Sequence, residues 1–348
     1  MKKVNREKGY QIYSYHSNNL DFIRLTELIE VFPSLSYSFP KIIKYEDFYL
    51  IDVEAKNGNS LIKANNLSKN LKKGLKVALI ELIERVCTTG VLKKTLKESY
   101  DTWTISNNWL KTTNGNEIFL GTKNSFGYPN NSNGVAVGAS LSEAKYFSLL
   151  ELMERDTFLN YWYLHKVPHK VKLEEKSPLN YKMNILQNQG FIVEIFFLQN
   201  EFNYPVIWIL CRSIEPDNFA SYTTTAISKD INIAIEKALD ESIYGLFTYH
   251  DVVQVKKIGK LVKKKGFKEI YDNACYYSLE ENRSTFDYLN NAEYLDLSQI
   301  QAAPSELDYE VELNQINEQL LNDDYEAGYI IISSKNDSTR ISTTGFWR

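Results

Sequence analysis

The chain has 348 residues, of which 43% are apolar and 24% charged, and a formal net charge of −4. That composition is ordinary for a soluble globular protein of one large domain or two modest ones. It gives no whole-chain electrostatic reason to expect nucleic acid as a partner.

In chain order, Met1 to Tyr10 is polar and basic with no apolar signal core, and no later run approaches the length needed to cross a bilayer. Neither secretion nor a membrane span is expected, so the predicted location is cytoplasmic. Cys87, Cys211 and Cys275 are far apart and lack Cys-x-x-Cys spacing, which argues against a zinc site or a disulfide framework. His16, His165, His169 and His250 show no metal spacing either, and read as structural or surface histidines.

A helix is expected over residues 20–31, followed by a loop from Pro33 to Pro40. Phe48 to Val53 alternates as a strand does, with its turn at Lys56-Asn-Gly-Asn59. A long helix is expected from about Ser68 to Thr88, apolar almost all round and therefore buried. Thr102 to Gly121 reads as short strands broken at Asn114-Gly-Asn116, and Tyr128 to Ser132 as a loop. Ser140 followed by Glu143 forms a capping box, which starts a helix with Tyr146, Leu149, Leu150 and Met153 on its buried stripe.

Beyond it, Phe191–Leu198 and Val206–Cys211 are apolar, β-branched runs that suit adjacent strands. Helices over 230–249 and 314–321 and a buried strand from Gly328 complete the pattern. Lys256 to Lys268 holds seven lysines in thirteen residues, read first as a solvated helix face and second as a docking surface for an acidic peptide or protein. The fold class expected is mixed α/β (α+β): a single domain over 61–348, with residues 1–60 as an N-terminal segment of the same domain.

Two stretches carry charge in an apolar context. Leu150-Glu151-Leu152-Met153-Glu154-Arg155 repeats Ile80-Glu81-Leu82-Ile83-Glu84-Arg85, seventy residues earlier, as an internally duplicated Glu-x-x-Glu-Arg helix. On a helix Glu143 and Glu154 lie within about 20° of each other around the axis, and Glu84 falls on the stripe of Val77, Ile80 and Cys87. A carboxylate taken from water needs a cation or a set of donors. An ordinary i,i+4 ion pair, such as Glu151 with Arg155, would supply one. Two such helices facing one cleft would also suit phosphates chelated to Mg²⁺, the acids holding metal and the arginines phosphate oxygens. Glu143 and Glu154 are about 16 Å apart along the axis, so they would serve different ions. No phosphate-binding glycine loop ending in Gly-Lys-Ser/Thr is present.

These residues resemble the YcaO family. Gly134, Gly138, Glu143, Glu151, Glu154, Arg155, Asp156 and Trp162 match its second block, Glu81, Glu84 and Arg85 its first, and Ala234-Ile-Glu-Lys-Ala-Leu-Asp-Glu241 its Ala-rich helix. The resemblance implies ATP and Mg²⁺ as cofactors, with Glu81, Glu84, Glu143 and Glu154 as metal ligands. It implies Glu151, Arg155 and Glu241 as nucleotide-site residues. It further implies a peptide cyclodehydratase that closes thiazoline or oxazoline rings from Cys, Ser or Thr of a ribosomal precursor peptide. A separate leader-peptide-binding, E1-like partner protein is expected with it, and a homo-oligomer is an open alternative. Val77 stands where the family has Ser, Ala139 where many members have Asn, and the chain stops at Gly345-Phe-Trp-Arg348 without a Pro-rich tail. These departures keep two alternatives open, a thioamide-forming subunit and a non-catalytic scaffold.

Overall fold

The computed structural model describes residues 2–7, 10–14, 35–45, 47–58, 60–88, 99–115, 118, 133–138, 140–215, 218–248, 251–267, 270–297, 300, 308–322, 326–332, 340–342 and 346–347. The helix expected over 20–31, the loop 128–132, His16, His250, Ala139, Lys268 and the Cys87 side chain lie outside them. Two compact units are formed, one by Met1–Leu152 with Glu306–Arg348 and the other by Met153–Ser305. The architecture is mixed α/β.

The first unit opens with strands β1 (Lys2–Glu7), β2 (Tyr10–Ser14), β3 (Ser36–Tyr37), β4 (Lys41–Tyr45), β5 (Phe48–Asn57) and β6 (Ser60–Ser68) in one antiparallel sheet. The β5–β6 turn falls at Gly58, whose φ of +57° suits a residue without a side chain. Residues on either side of position 60 are therefore partners in a hairpin. Helix α1 (Leu71–Thr88) packs on β5 and β6 through Leu75, Ala78, Leu79, Leu82 and Val86, against Ile51, Val53, Ile62 and Ala64.

Two expectations for α1 are corrected. Ser68 ends β6, and the helix begins three residues later because Asn70 Oδ1 accepts the Lys73 N–H at 3.0 Å. The helix is also two-faced rather than buried all round: Val77 is 39% exposed, and Ile80 and Glu84 are only half-buried.

A second sheet in this unit has the order β8-β7-β15-β16-β9, with β17 on β15. Its strands are β7 (Ser99–Thr104), β8 (Trp109–Asn114), β9 (Val135–Val137), β15 (Glu326–Ile331), β16 (Arg340–Ser342) and β17 (Phe346–Trp347). Strand β8 ends at Asn114, where the break is expected, and a further break separates β7 from β8 at Ile105–Asn108. There the Thr104 N–H donates to Asn108 O at 2.8 Å and Asn107 takes the left-handed conformation that Asn tolerates, φ +65°.

Helix α2 (Leu141–Tyr163) leaves β9 through Gly138 and Ser140, and its residues up to Leu152 belong to this unit.

The second unit continues α2 from Met153 and adds the sheet β13-β12-β11-β10-β14. These are β10 (His169–Val171), β11 (Phe191–Leu198), β12 (Val206–Ser213), β13 (Ser221–Ile227) and β14 (Tyr294–Leu295). All pairs are antiparallel except β10 with β14.

Strand β12 is buried at every position but Arg212, which is why it reads as a continuous apolar run rather than an alternating one. Its Trp208 meets Phe158 (5.2 Å between ring centroids) and Trp162 (6.2 Å) of α2 and Phe286 (6.4 Å) of a 3₁₀ helix, Glu280–Asn291. Helices α3 (Asn180–Asn188) and α4 (Ile231–Thr248) pack on the same sheet, α4 against β12 and β13. Then come α5 (Val252–Lys265) and α6 (Ile270–Tyr277), which pack on each other, while α7 (Tyr309–Asn322) returns to the first unit. Helix α7 starts earlier than the apolar pattern predicts because Asp308 Oδ1 accepts from the backbone of Glu310 and Val311.

A buried carboxylate ties β10, β11 and β12 together. Glu194 has its side chain 7% exposed and accepts from Lys170 Nζ at 2.5 Å and Arg212 Nε at 2.8 Å. Burial alone would raise its pKa, but the two cations outweigh burial and hold it below the ordinary carboxylate value. Because the folded-state pKa is depressed, this contribution is present above the unfolded value, about 4.3, and is lost as pH falls through the folded one. Glu194→Gln leaves two partly buried cations without their anion and should cost about 3 kcal/mol. Urea denaturation at neutral pH measures that loss, and the gap between variant and wild type should narrow below about pH 4.

Candidate functional site

The site-forming segment is the start of α2. Ser140 Oγ accepts the Glu143 N–H at 3.1 Å, as the capping-box spacing predicts. Gly138 admits no side chain, since an added Cβ would lie 2.5 Å from Ala144 N and 2.9 Å from Ser140 O. Gly134 adopts φ +73°, its N–H donates to Glu151 Oε2 at 3.2 Å, and its carbonyl accepts from Ser148 Oγ. The glycine loop is thus laced to the helix it precedes, one carboxylate oxygen of Glu151 serving as its anchor.

The expected stripe is buried: Tyr146, Leu149, Leu150 and Met153 are each 3% exposed or less. Glu143 is half-buried and bonds to the Tyr309 hydroxyl of α7; burial first, and then the Glu143 charge and that bond, raise the tyrosine's pKa. Ser142 Oγ donates to Glu310 Oε1 at 2.9 Å, so α7 docks on the first turn of α2 at two points.

Elsewhere in this unit, Glu81 of α1 accepts from Arg85 on one oxygen and from the Asn65 N–H of β6, at 3.2 Å, on the other. Arg85 also donates to Lys63 O at 2.8 Å. Burial pushes Glu81 above the usual carboxylate range, and Arg85 and the Asn65 N–H pull it part of the way back. Glu84 is half-buried one turn along the same helix.

In the second unit Glu154 is 9% exposed, and Thr225 Oγ1 of β13 donates to its Oε1 at 2.6 Å. Arg155 Nη1 lies 3.3 Å from the same hydroxyl and 3.6 Å from the Glu154 carboxylate. Lys237 of α4 adds positive charge. Desolvation by the surrounding protein lowers its pKa below the ordinary value, and the Glu154 charge offsets only part of that. Glu241 lies one turn beyond Lys237 on α4 and is exposed. Asp156 is pushed above its ordinary value first by burial and then by Glu201.

The predicted residues therefore fall into two groups. Glu81, Glu84, Glu143 and Glu151 lie in the first unit, and Glu154, Arg155 and Glu241 in the second.

Among the described residues no three His, Cys, Asp or Glu side chains cluster tightly enough to cage a metal. The donor set still fits Mg²⁺ with a nucleotide, because that ion is held by one or two carboxylates, its own waters and substrate phosphates rather than by an all-protein cage.

Lys145, Thr225 and Lys237 went unnoticed in the sequence. Lys145 is 4% exposed, donates to Asn107 Oδ1, and lies 3.8 Å from the Tyr329 ring centroid. Burial pushes its pKa down to about 8 against the pull of Glu310. Thr225 sits in an ordinary-looking Thr-rich strand. Lys237, one turn before Glu241 in an element already singled out, was the one with a readable signal.

A family profile described as YcaO cyclodehydratase, ATP- and Mg²⁺-binding, matches residues 111–335. The chain belongs to the YcaO family. No curated protein sequence matches it. Among solved structures, a YcaO protein of Methanopyrus kandleri bound with AMPPCP and Mg²⁺ is similar over 93% of this chain and 88% of its own, with a TM-score of 0.71 at 13% identity. A heterocyclase in complex with substrate and cofactor is similar over 88% of this chain but 49% of its own (TM-score 0.67, 14% identity). The E. coli microcin synthetase McbBCD complex with pro-MccB17 bound is similar over 88% and 85% (TM-score 0.57, 14% identity). At these identities the likeness is one of YcaO fold.

Thr225→Val keeps the shape of the side chain and removes the donor to a buried carboxylate oxygen. It should lower stability by about 1–3 kcal/mol, and Thr225→Ser should recover most of that, measured by chemical denaturation.

Proposed function

We propose that the protein uses ATP with Mg²⁺ to activate a backbone amide of a ribosomally made precursor peptide, and so drives cyclodehydration of Cys, Ser or Thr to thiazoline or oxazoline. ATP and Mg²⁺ are the ligands of the family to which it belongs. The observation that carries the reading is the nearly buried Glu154 carboxylate, kept in place by Thr225 with Arg155 and Lys237 beside it. A carboxylate so enclosed suits a hard cation, and the adjacent arginine and lysine suit phosphate oxygens.

In this reading Glu81, Glu84, Glu143 and Glu154 serve Mg²⁺, and Glu151, Arg155 and Glu241 serve the nucleotide. The chain's contribution is position and charge, which is what phosphoryl transfer demands of a protein. ATP supplies the phosphoryl group that turns the amide oxygen into a leaving group. A neighbouring thiol or hydroxyl then attacks the amide carbon, and phosphate leaves with that oxygen as the ring closes. A partner protein that grips the precursor's leader is part of the proposal, and the similar microcin synthetase McbBCD is itself a complex with pro-MccB17 bound.

One observation favours a second reading, a non-catalytic scaffold. Both oxygens of Glu81 already have donors inside the protein, so folding alone accounts for that residue.

Titration calorimetry separates the two. The catalytic reading expects ATP binding that depends on Mg²⁺ and is abolished by Glu154→Gln in a protein that still folds. Unchanged affinity in that variant refutes the assignment of Glu154, and no heat of binding in the wild type leaves the scaffold reading. Incubation with ATP, the partner and the precursor peptide should show by mass spectrometry the loss of one water per ring.

A further inference from the structure

The lysine-rich helix α5 lies in the second unit, away in sequence from every residue assigned above. Its buried side is Val255, Gly259 and Val262. Gly259 meets α6 so closely that an added Cβ would lie 2.2 Å from Cys275 O. Asp251 caps its start, accepting from the Gln254 N–H at 3.0 Å, and Gly266 ends it at φ +79°. The helix is therefore fixed in rotation, and its outer face is fixed with it.

That outer face gathers Val253, Lys256, Lys257, Lys260, Leu261 and Lys264 within an arc of about 140°, and these residues line a shallow concavity on the surface. Val253 is 80% and Leu261 46% exposed. Lys263, on the flank, is neutralised by Glu281 at 2.7 Å. Lys257, Lys260 and Lys264 have no acidic partner among the described residues. No acidic residue occurs within α5 at all, in a chain whose net charge is −4. Placing so many like charges side by side is unfavourable, and a complementary anion would relieve it.

We infer that this face docks an acidic polypeptide segment carrying apolar side chains about 12 Å apart, the axial separation of Val253 and Leu261. Four residues of extended chain span that distance. A bilayer fits less well, since a helix that lies in a membrane presents a broad apolar face with lysines at its borders. Here two apolar side chains sit in a cationic field. Nucleic acid fits less well too, because no aromatic side chain interleaves these lysines to stack on bases. The inference stands apart from the ATP reading.

The test uses the full chain and a fluorescein-labelled twenty-residue peptide of glutamates with leucine at every fourth position, followed by anisotropy at low and physiological salt. Binding should weaken with salt, and should fall at least tenfold in a variant combining Lys256→Glu, Lys257→Glu, Lys260→Glu and Lys264→Glu. A second variant, Val253→Ser with Leu261→Ser, leaves the charges intact and should lose severalfold, which reads the apolar contacts separately. Circular dichroism confirms that both variants fold. No binding by the wild type, or equal binding by the charge-reversed variant, overturns the inference. So does equal affinity for oligo-dT or for phosphatidylglycerol vesicles, which would make the face a general anion collector. ATP titration of the same samples reads the other proposal independently.

Discussion

Every candidate residue that α2 carries depends on where that helix starts. A helix fixes the direction of each side chain relative to its first turn, so a shift of one residue at the start would rotate every later residue by about 100°. Three local features set that start: the Ser140 hydroxyl under the Glu143 N–H, the bare Cα of Gly138 against Ala144, and the Gly134 loop bonded to Glu151 and Ser148. Each is weak alone, about 1 kcal/mol for a cap. Together they leave one register, and that register buries Tyr146, Leu149 and Leu150 in the first unit.

The burial of Glu154 is costly, and the surrounding protein answers it in kind. A neutral hydroxyl supplies the short bond, and the two cations stand back, Arg155 at 3.6 Å and Lys237 acting through its charge. Glu194 shows the other solution. There Lys170 and Arg212 both bond to the carboxylate directly and depress its pKa. A carboxylate saturated by two cations has little left to offer a metal. One held by a single hydroxyl, with positive charge near enough to meet phosphate, retains that capacity. Within one unit, then, Glu194 is spent on structure, while Glu154 keeps the capacity that the proposed metal role calls on.

What the sequence disclosed follows the same divide between local and distant causes. The start of α2 was legible because capping and glycine punctuation act within a few residues, and the β11–β12 pair was legible because two long apolar runs flank a short polar break. The facing of α1 was not. Val77, Ile80 and Cys87 form as good a stripe as Leu75, Leu79, Leu82 and Val86, and only packing on β5 and β6 decides between them. Nor were the partners of the buried acids. Thr225 lies 71 residues from Glu154 and Arg212 lies 18 from Glu194, and nothing in a threonine or an arginine on a strand announces which acid it will meet.

The duplicated Glu-x-x-Glu-Arg motif makes the same point about meaning. In α1 its arginine turns back one helical turn to Glu81, and the Asn65 backbone completes the acid's bonding, so the motif fastens a helix to a strand. In α2 the equivalent first acid anchors the glycine loop, while the arginine lies beside Thr225 and the second acid. One spacing thus yields an i,i+4 ion pair in one place and a hydroxyl-held carboxylate beside a cation in the other. The difference comes from what each helix packs against. Beside α1 a strand offers backbone N–H groups as donors. The later part of α2 meets β13, whose threonine side chain supplies a donor without a charge. The carboxylate there is not neutralised by a direct cation bond, and that is the property the proposed Mg²⁺ role draws on.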